Sequence, residues 1–237
     1  MQLFYDPELT AGPHELREAE ARHVLRSLRK RPGDVLDLVD GRGGWFRGQI
    51  TETGKHHCLL EVTETRREER RAGHHLTLAV APTKNIDRLE WVREKGTEIG
   101  VDRFHLLLTE HSERKRVRLD RLERVVEAAM KQSLRAFLPA ITNLLPLPEV
   151  LNAPAGAGEQ RFLAYLGEGG DNRSLHELCA PGGRVTVAIG PEGGFSPAEA
   201  ELARDRGWQY ARLGPHRLRT ETAALVAVHT VEQLNWT

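Results

Sequence analysis

The sequence predicts an α/β protein in two parts: a small antiparallel β-barrel, then a larger domain on a mostly parallel sheet covered on both faces. Three observations carry that expectation. Up to residue 63, short apolar runs are separated by Asp40-Gly41, Gly43-Gly44 and Thr53-Gly54, the turn chemistry of antiparallel hairpins. Residues 64–73 are almost wholly charged, which reads as a linker or an exposed strand end and sets a boundary near residue 72, giving domains of 1–72 and 73–237. Beyond the boundary, strand-like and helix-like stretches alternate, the pattern of a parallel sheet flanked by helices.

Element by element, Leu16, Ala19, Val24, Leu25 and Leu28 have a loose helical spacing that predicts a helix over 13–31, stopped by Pro32-Gly33. Strands follow over 35–39, 45–50 and 58–63. In the second part the expected strands are 76–81, 104–108, 162–166, 185–189 and 210–213. The expected helices are 85–99, 119–134, 175–179, 197–206 and 222–234. The run Val185-Thr186-Val187-Ala188-Ile189 is apolar enough for the middle of the sheet, and the Ala, Pro and Gly residues of 153–158 form a loop. Trp45, Phe46 and Trp91 are expected in the core.

Composition narrows the function classes. With 34 basic and 34 acidic residues in 237, the formal charge is zero, so attraction to nucleic acid depends on where the charges sit. Two distant cysteines, Cys58 and Cys179, exclude a disulfide framework and a four-thiolate zinc site, and fit a reducing cytoplasm. The first residues lack the features of a signal peptide, and no apolar run approaches the roughly 18 residues of a membrane span, so a soluble cytoplasmic protein is expected with no membrane partner. The His56-His57 and His74-His75 pairs lack ligand spacing and read as surface residues; no metal is expected.

Two segments stand out as candidate sites. Residues 189–199, Ile189-Gly190-Pro191-Glu192-Gly193-Gly194-Phe195-Ser196-Pro197-Ala198-Glu199, join a buried strand to a helix. Ser196 and Glu199 make a capping box with Pro197 at the first helical position. Three glycines permit close approach of the backbone to a ligand, or simply a tight turn. The spacing fits neither G-x-G-x-x-G nor a phosphate loop. Residues 213–224 again lie between a strand and an apolar helix, where Arg219 and Glu221 form either a structural ion pair or part of a catalytic set. Ligands of open α/β sheets bind at such strand ends.

These two loops resemble the signature loops of the SPOUT class of RNA methyltransferases, and within it the ribosomal RNA small subunit methyltransferase E family. Lys84, Arg88 and Lys95 with Thr97-Glu98-Ile99-Gly100-Val101 resemble that family's first helix, and Ser112-Glu113-Arg114, Lys131-Gln132-Ser133 and His23-Val24-Leu25-Arg26 match further tripeptides and a leading segment. The resemblance covers the whole chain. It implies a PUA-like barrel followed by a methyltransferase domain with a deep trefoil knot, a topology that no periodicity reveals. It further implies a homodimer that transfers a methyl group from S-adenosylmethionine to N3 of a uridine in small-subunit ribosomal RNA, acting on the 30S subunit.

Carried over residue by residue, the implied cofactor pocket comprises Leu166, Gly167, Ile189, Gly190, Glu192, Gly193, Gly194, Leu213, Gly214, Leu218, Arg219, Thr220, Thr222 and Ala223. Arg219, with Arg217 second to it, is the candidate to stabilise charge on the uracil carbonyls, and the proton acceptor is Glu221 or bulk water. Candidate RNA contacts are Arg22, Arg26 and Arg29, from a stretch with no acidic residue between 22 and 31, and Lys84, Arg88 and Arg135. The alternatives are methylation of another ribosomal or transfer RNA base, or a non-catalytic RNA-binding assembly factor. A nucleotide hydrolase is disfavoured by the missing phosphate-loop lysine.

Overall fold

The computed structural model describes residues 2–55, 57–69, 73–167 and 173–236. His56 of the first histidine pair lies outside them. The chain divides into two compact units, residues 1–72 with 127–138, and residues 73–126 with 139–237.

In the first unit, β1 (Leu3–Tyr5), β2 (Gly12–Glu15), β3 (Val35–Val39), β4 (Gly44–Thr53) and β5 (Cys58–Arg67) form a five-stranded sheet in the order β1-β3-β4-β5-β2. Only β1 and β3 pair in parallel; the remaining pairs are antiparallel. Phe4, Leu36, Leu38, Ile50 and Leu60 interdigitate in its core. The β3–β4 turn is closed by Asp40, whose Oδ1 accepts from Arg42 N (2.7 Å) and Gly44 N (2.8 Å), while Gly41 takes φ +72°.

The expected helix over 13–31 is much shorter. Pro13 and His14 lie in β2, opposite Glu61 and Leu60 of β5, and α1 spans only Glu18–Arg22. It runs into a π-helical turn, His23–Ser27. Helical spacing of Leu16, Val24 and Leu28 was real, but cross-strand pairing claimed the first residues. The charged stretch begins as strand, since β5 continues to Arg67.

The second unit has six parallel strands: β6 (His74–Val80), β7 (Arg103–Leu108), β8 (Ala140–Pro146), β9 (Gln160–Ala164), β10 (Gly183–Ile189) and β11 (Gln209–Ala211). Their order is β11-β9-β10-β6-β7-β8. The helices are α2 (Ile86–Ile99), α3 (Leu119–Gln132), α4 (Leu147–Asn152), α5 (Leu175–Leu178), α6 (Pro197–Asp205) and α7 (Thr220–Leu234). Residues 127–132 of α3 group with the first unit. β8 and α4 were not expected from the sequence.

Because side chains alternate along a strand, the sheet buries two faces. Leu147, Val150 and Leu151 of α4 and Ala200 and Ala203 of α6 cover Ala79, Leu107, Leu163 and Ala188. The intervening residues Leu78, Phe104, Leu106, Phe162 and Val187 are also buried, and α7 packs on β6, β10 and α2. Asn85 caps α2 by accepting from Asp87 N, and the Ser196–Glu199 capping box of α6 is formed in both directions. Trp91 departs from expectation: it projects from α2 and is 43% exposed. Trp45 is half-buried, its Nε1 donating to Glu68 Oε2 at 2.8 Å beneath the Arg66 guanidinium.

Candidate functional site

The strand order places the carboxyl ends of β9, β10 and β11 side by side, and the three loops leaving them enclose a cavity of about 380 Å³. This is the strand-end position where open α/β sheets hold ligands, and the size falls in the small-molecule range of about 300–1,000 Å³. Ala164 to Gly167 end β9 and follow it, Ile189 to Phe195 end β10 and follow it, Leu213 and Gly214 follow β11, and Thr220 and Ala223 come from the first turn of α7. Thr220 Oγ1 donates to the Gly190 carbonyl at 3.1 Å, which ties the start of α7 to the β10 loop.

The β10 loop is built to approach a ligand closely. Gly194 N donates to the Pro191 carbonyl, and Gly194 itself takes φ +72°, a conformation that L side chains rarely adopt. A Cβ on Gly193 would stand 2.9 Å from that of His111. The loop is stitched to its neighbours: Glu110 N donates to Glu199 Oε1 at 2.8 Å, and His111 Nδ1 lies 3.2 Å from the Gly194 carbonyl.

Of the cofactor residues expected from the sequence, Leu166, Gly167, Ile189, Gly190, Glu192, Gly193, Gly194, Leu213, Gly214, Leu218, Thr220 and Ala223 line the cavity. Arg219 and Thr222 are exposed and are not among the lining residues; on α7, Thr220 and Ala223 take the inward positions, three apart on one helical face. Pro191, His216 and Arg217, inside the two loops singled out from the sequence, line it too, whereas sequence reasoning missed Ala164, Tyr165, Phe195 and Ala211. Phe195 sat inside a motif already singled out; Tyr165 had no signal, since its place depends on where β9 ends.

The expected catalytic and RNA-contacting residues are rearranged by pairing. Glu221, with its side chain 12% exposed, forms an ion pair with Arg88 Nη1 at 3.3 Å, so Arg88 is engaged by a carboxylate instead of standing free. The second oxygen of Glu221 is buried and makes no hydrogen bond among the described residues. The carboxylate of Glu192 accepts from the backbone N–H of Lys84 at 3.0 Å, and its carbonyl accepts from Arg217 Nη2 at 3.3 Å. Lys84 Nζ meets Glu113 at 3.1 Å and stays 75% exposed. In the first unit, Arg22 is paired with Glu18 at 2.6 Å, one turn upstream of the stretch that looked free of acids, whereas Arg26 and Arg29 are exposed. Arg135 is partly buried and donates its backbone N–H to Met130 O.

Among the described residues there is no cluster of three or more histidine, cysteine or acidic side chains suited to a metal, and no helix is long and apolar enough to cross a membrane. Burial pushes the thiols of Cys58 and Cys179 up to about 11, which leaves both unreactive near neutral pH.

A small β-sheet unit followed by an α/β unit is an arrangement this chain shares with known RNA methyltransferases. Residues 70–232 match the family model of an RNA methyltransferase domain, and residues 16–63 that of an RNA methyltransferase PUA domain. Ribosomal RNA small subunit methyltransferase E of Synechocystis sp. is 31% identical over 92% of this chain and 72% of its own length. A probable rRNA-methyltransferase from Porphyromonas gingivalis superposes with a TM-score of 0.92 at 39% identity, covering 99% of this chain and 98% of that one. The Neisseria gonorrhoeae ribosomal RNA small subunit methyltransferase E, solved bound to S-adenosyl methionine, superposes at 0.89 with 28% identity and the same coverage. The chain belongs to the ribosomal RNA small subunit methyltransferase E family, with an N-terminal PUA domain and a C-terminal SPOUT-like RNA methyltransferase domain.

Proposed function

We propose that this protein methylates N3 of a uridine in small-subunit (16S) ribosomal RNA, within the decoding region and on the assembled 30S subunit, using S-adenosylmethionine. The observation that carries the reading is the cavity of about 380 Å³ walled by the loops after β9, β10 and β11. Its residues fit that cofactor: Ile189, Leu213 and Leu218 offer apolar surface to an adenine ring, and the glycines of the β10 loop offer backbone polar groups at close range. Gly190, Gly194 and Thr220 would hold it. When bound, S-adenosylmethionine supplies an electrophilic methyl group.

The chain's own residues prepare the acceptor. A uridine N3 carries a proton, which must leave before nitrogen can act as a nucleophile. Glu221, which pairs with Arg88, is the acceptor we assign. As the proton leaves, negative charge gathers on the flanking uracil oxygens, and the exposed Arg219 guanidinium, between the cavity residues Leu218 and Thr220, supplies donors to them. The base must be drawn out of its pairing to reach the site. Arg26 and Arg29 of the PUA domain and Lys84 of the methyltransferase domain serve phosphate contacts, which position RNA without reading its sequence.

Two further features belong to this reading. The trefoil knot and the cytoplasmic location come with the family reading, and the partly exposed Leu225, Val226 and Leu234 of α7 with the 63% exposed Trp236 support a homodimer. The test is mass spectrometry of nucleosides from 30S subunits of a strain lacking the gene. Loss of N3-methyluridine, restored by adding back the protein with S-adenosylmethionine, is expected. Persistence of the modification would refute the substrate, and methyl transfer to another RNA would assign a different target.

A further inference from the structure

Glu192 lines the cavity, yet its side chain is committed elsewhere. The carboxylate accepts from the backbone N–H of Lys84, in the loop from β6 to α2, at 3.0 Å. That same loop is gripped from the other side. Arg114, in the loop between β7 and α3, donates Nε to the Thr83 carbonyl (3.2 Å) and Nη2 to the Lys84 carbonyl (2.7 Å). Thr83 Oγ1 closes the loop on the Asn85 carbonyl at 2.6 Å. Arg217, from the loop after β11, donates to the Glu192 carbonyl. Four loops on one rim of the sheet are thereby linked through Glu192 and Lys84.

Beside this linkage lies a second, open cleft lined by Lys84, Glu113, Arg114, Lys115 and Arg116. Four of its five side chains are cationic, and Lys115 and Arg116 are exposed, the charge pattern that suits a phosphodiester. Lys84 belongs both to the cleft and to the linkage, so the direction in which its side chain leaves the loop depends on how its backbone is held.

We infer that Glu192 is a positioning residue: its carboxylate fixes the Lys84 backbone, and with it the basic cleft, to receive an RNA phosphate, and does not act as counter-charge to the cofactor. This rests on the RNA methyltransferase reading above. The two roles demand different chemistry. Accepting one hydrogen bond from an N–H needs only an oxygen, which glutamine supplies; steadying a sulfonium needs the negative charge, which glutamine lacks.

The experiment compares the full-length protein with its Glu192→Ala and Glu192→Gln variants. Calorimetry with S-adenosylmethionine, amide exchange at Lys84 by NMR, and KM and kcat for 30S subunits are measured for each. For Glu192→Ala we expect cofactor affinity within about threefold of the parent, Lys84 exchange at least about tenfold faster, and KM for subunits raised by about tenfold. Glu192→Gln is expected to bring exchange and KM back to within about threefold of the parent. Loss of cofactor affinity in both variants, or unaltered Lys84 exchange in Glu192→Ala, would overturn the inference. Should the parent protein bind cofactor but methylate no subunit, the proposed function fails; Lys84 exchange and subunit binding by sedimentation still decide the role of Glu192.

Discussion

Arg88 and Glu221 show how one contact redistributes roles. Each looked like an independent functional residue, 133 positions apart, and the fold joins them at 3.3 Å. Arg88 is therefore committed to a carboxylate, and the remaining Glu221 oxygen is buried with no hydrogen bond among the described residues. Glu221→Gln is expected to lower kcat by about 10²-fold, and Arg219→Ala by about 10²–10³-fold. Neither should shift S-adenosylmethionine affinity, because neither residue lines the cavity. Single-turnover methyl transfer alongside calorimetry separates the two effects.

At the scale of elements, α2 carries an anomaly. Arg93 is fully buried, its guanidinium stacked 4.2 Å over the Phe104 ring of β7, and its nitrogens make no hydrogen bond among the described residues. Burial brings its pKa down to about 9. A buried charge without a partner is worth less than an apolar side chain of similar volume, so Arg93→Met is expected to leave stability unchanged or raise it by about 1–4 kcal/mol, read by urea unfolding. The same scale shows what the sequence could disclose. The central strand β10, the capped start of α6 and the apolar α7 were all legible, because local patterning and burial agree there. β8 was not: Ala140–Pro146 lies at the sheet edge, its residues exposed or half-exposed, without the alternation that marks a half-buried strand. β2 was masked by a helical spacing that pairing with β5 overrode. The cavity's glycine walls could be read from their motifs, whereas the Glu192–Lys84 and Arg88–Glu221 contacts join residues more than 100 apart, which no local pattern encodes.

For the molecule as a whole, two groups tie stability to pH in the same direction. Glu159 is opposed by burial, but hydrogen bonds from Gly156 N–H, the Thr186 hydroxyl and Arg161 outweigh it and hold the carboxyl below its ordinary value. His105 is also depressed, first by burial and then by the Arg103 and Arg93 charges. A depressed folded-state pKa means that the unfolded chain binds the proton more readily, so stability is complete above the unfolded value and declines as pH falls through the folded one. The melting temperature is thus expected to fall from about pH 6.5 downward through His105, and further below about pH 4.5 through Glu159. Glu159→Gln should flatten the lower limb, and thermal melts between pH 7 and pH 3 read both.

The strand that ends in the glycine loop is flanked on either side, by β9 and by β6. The floor of the cavity consequently cannot loosen piecemeal; it gives way only when the sheet itself parts. Warming such a protein should extinguish ligand capture and architecture in a single event, with no half-competent form surviving in between.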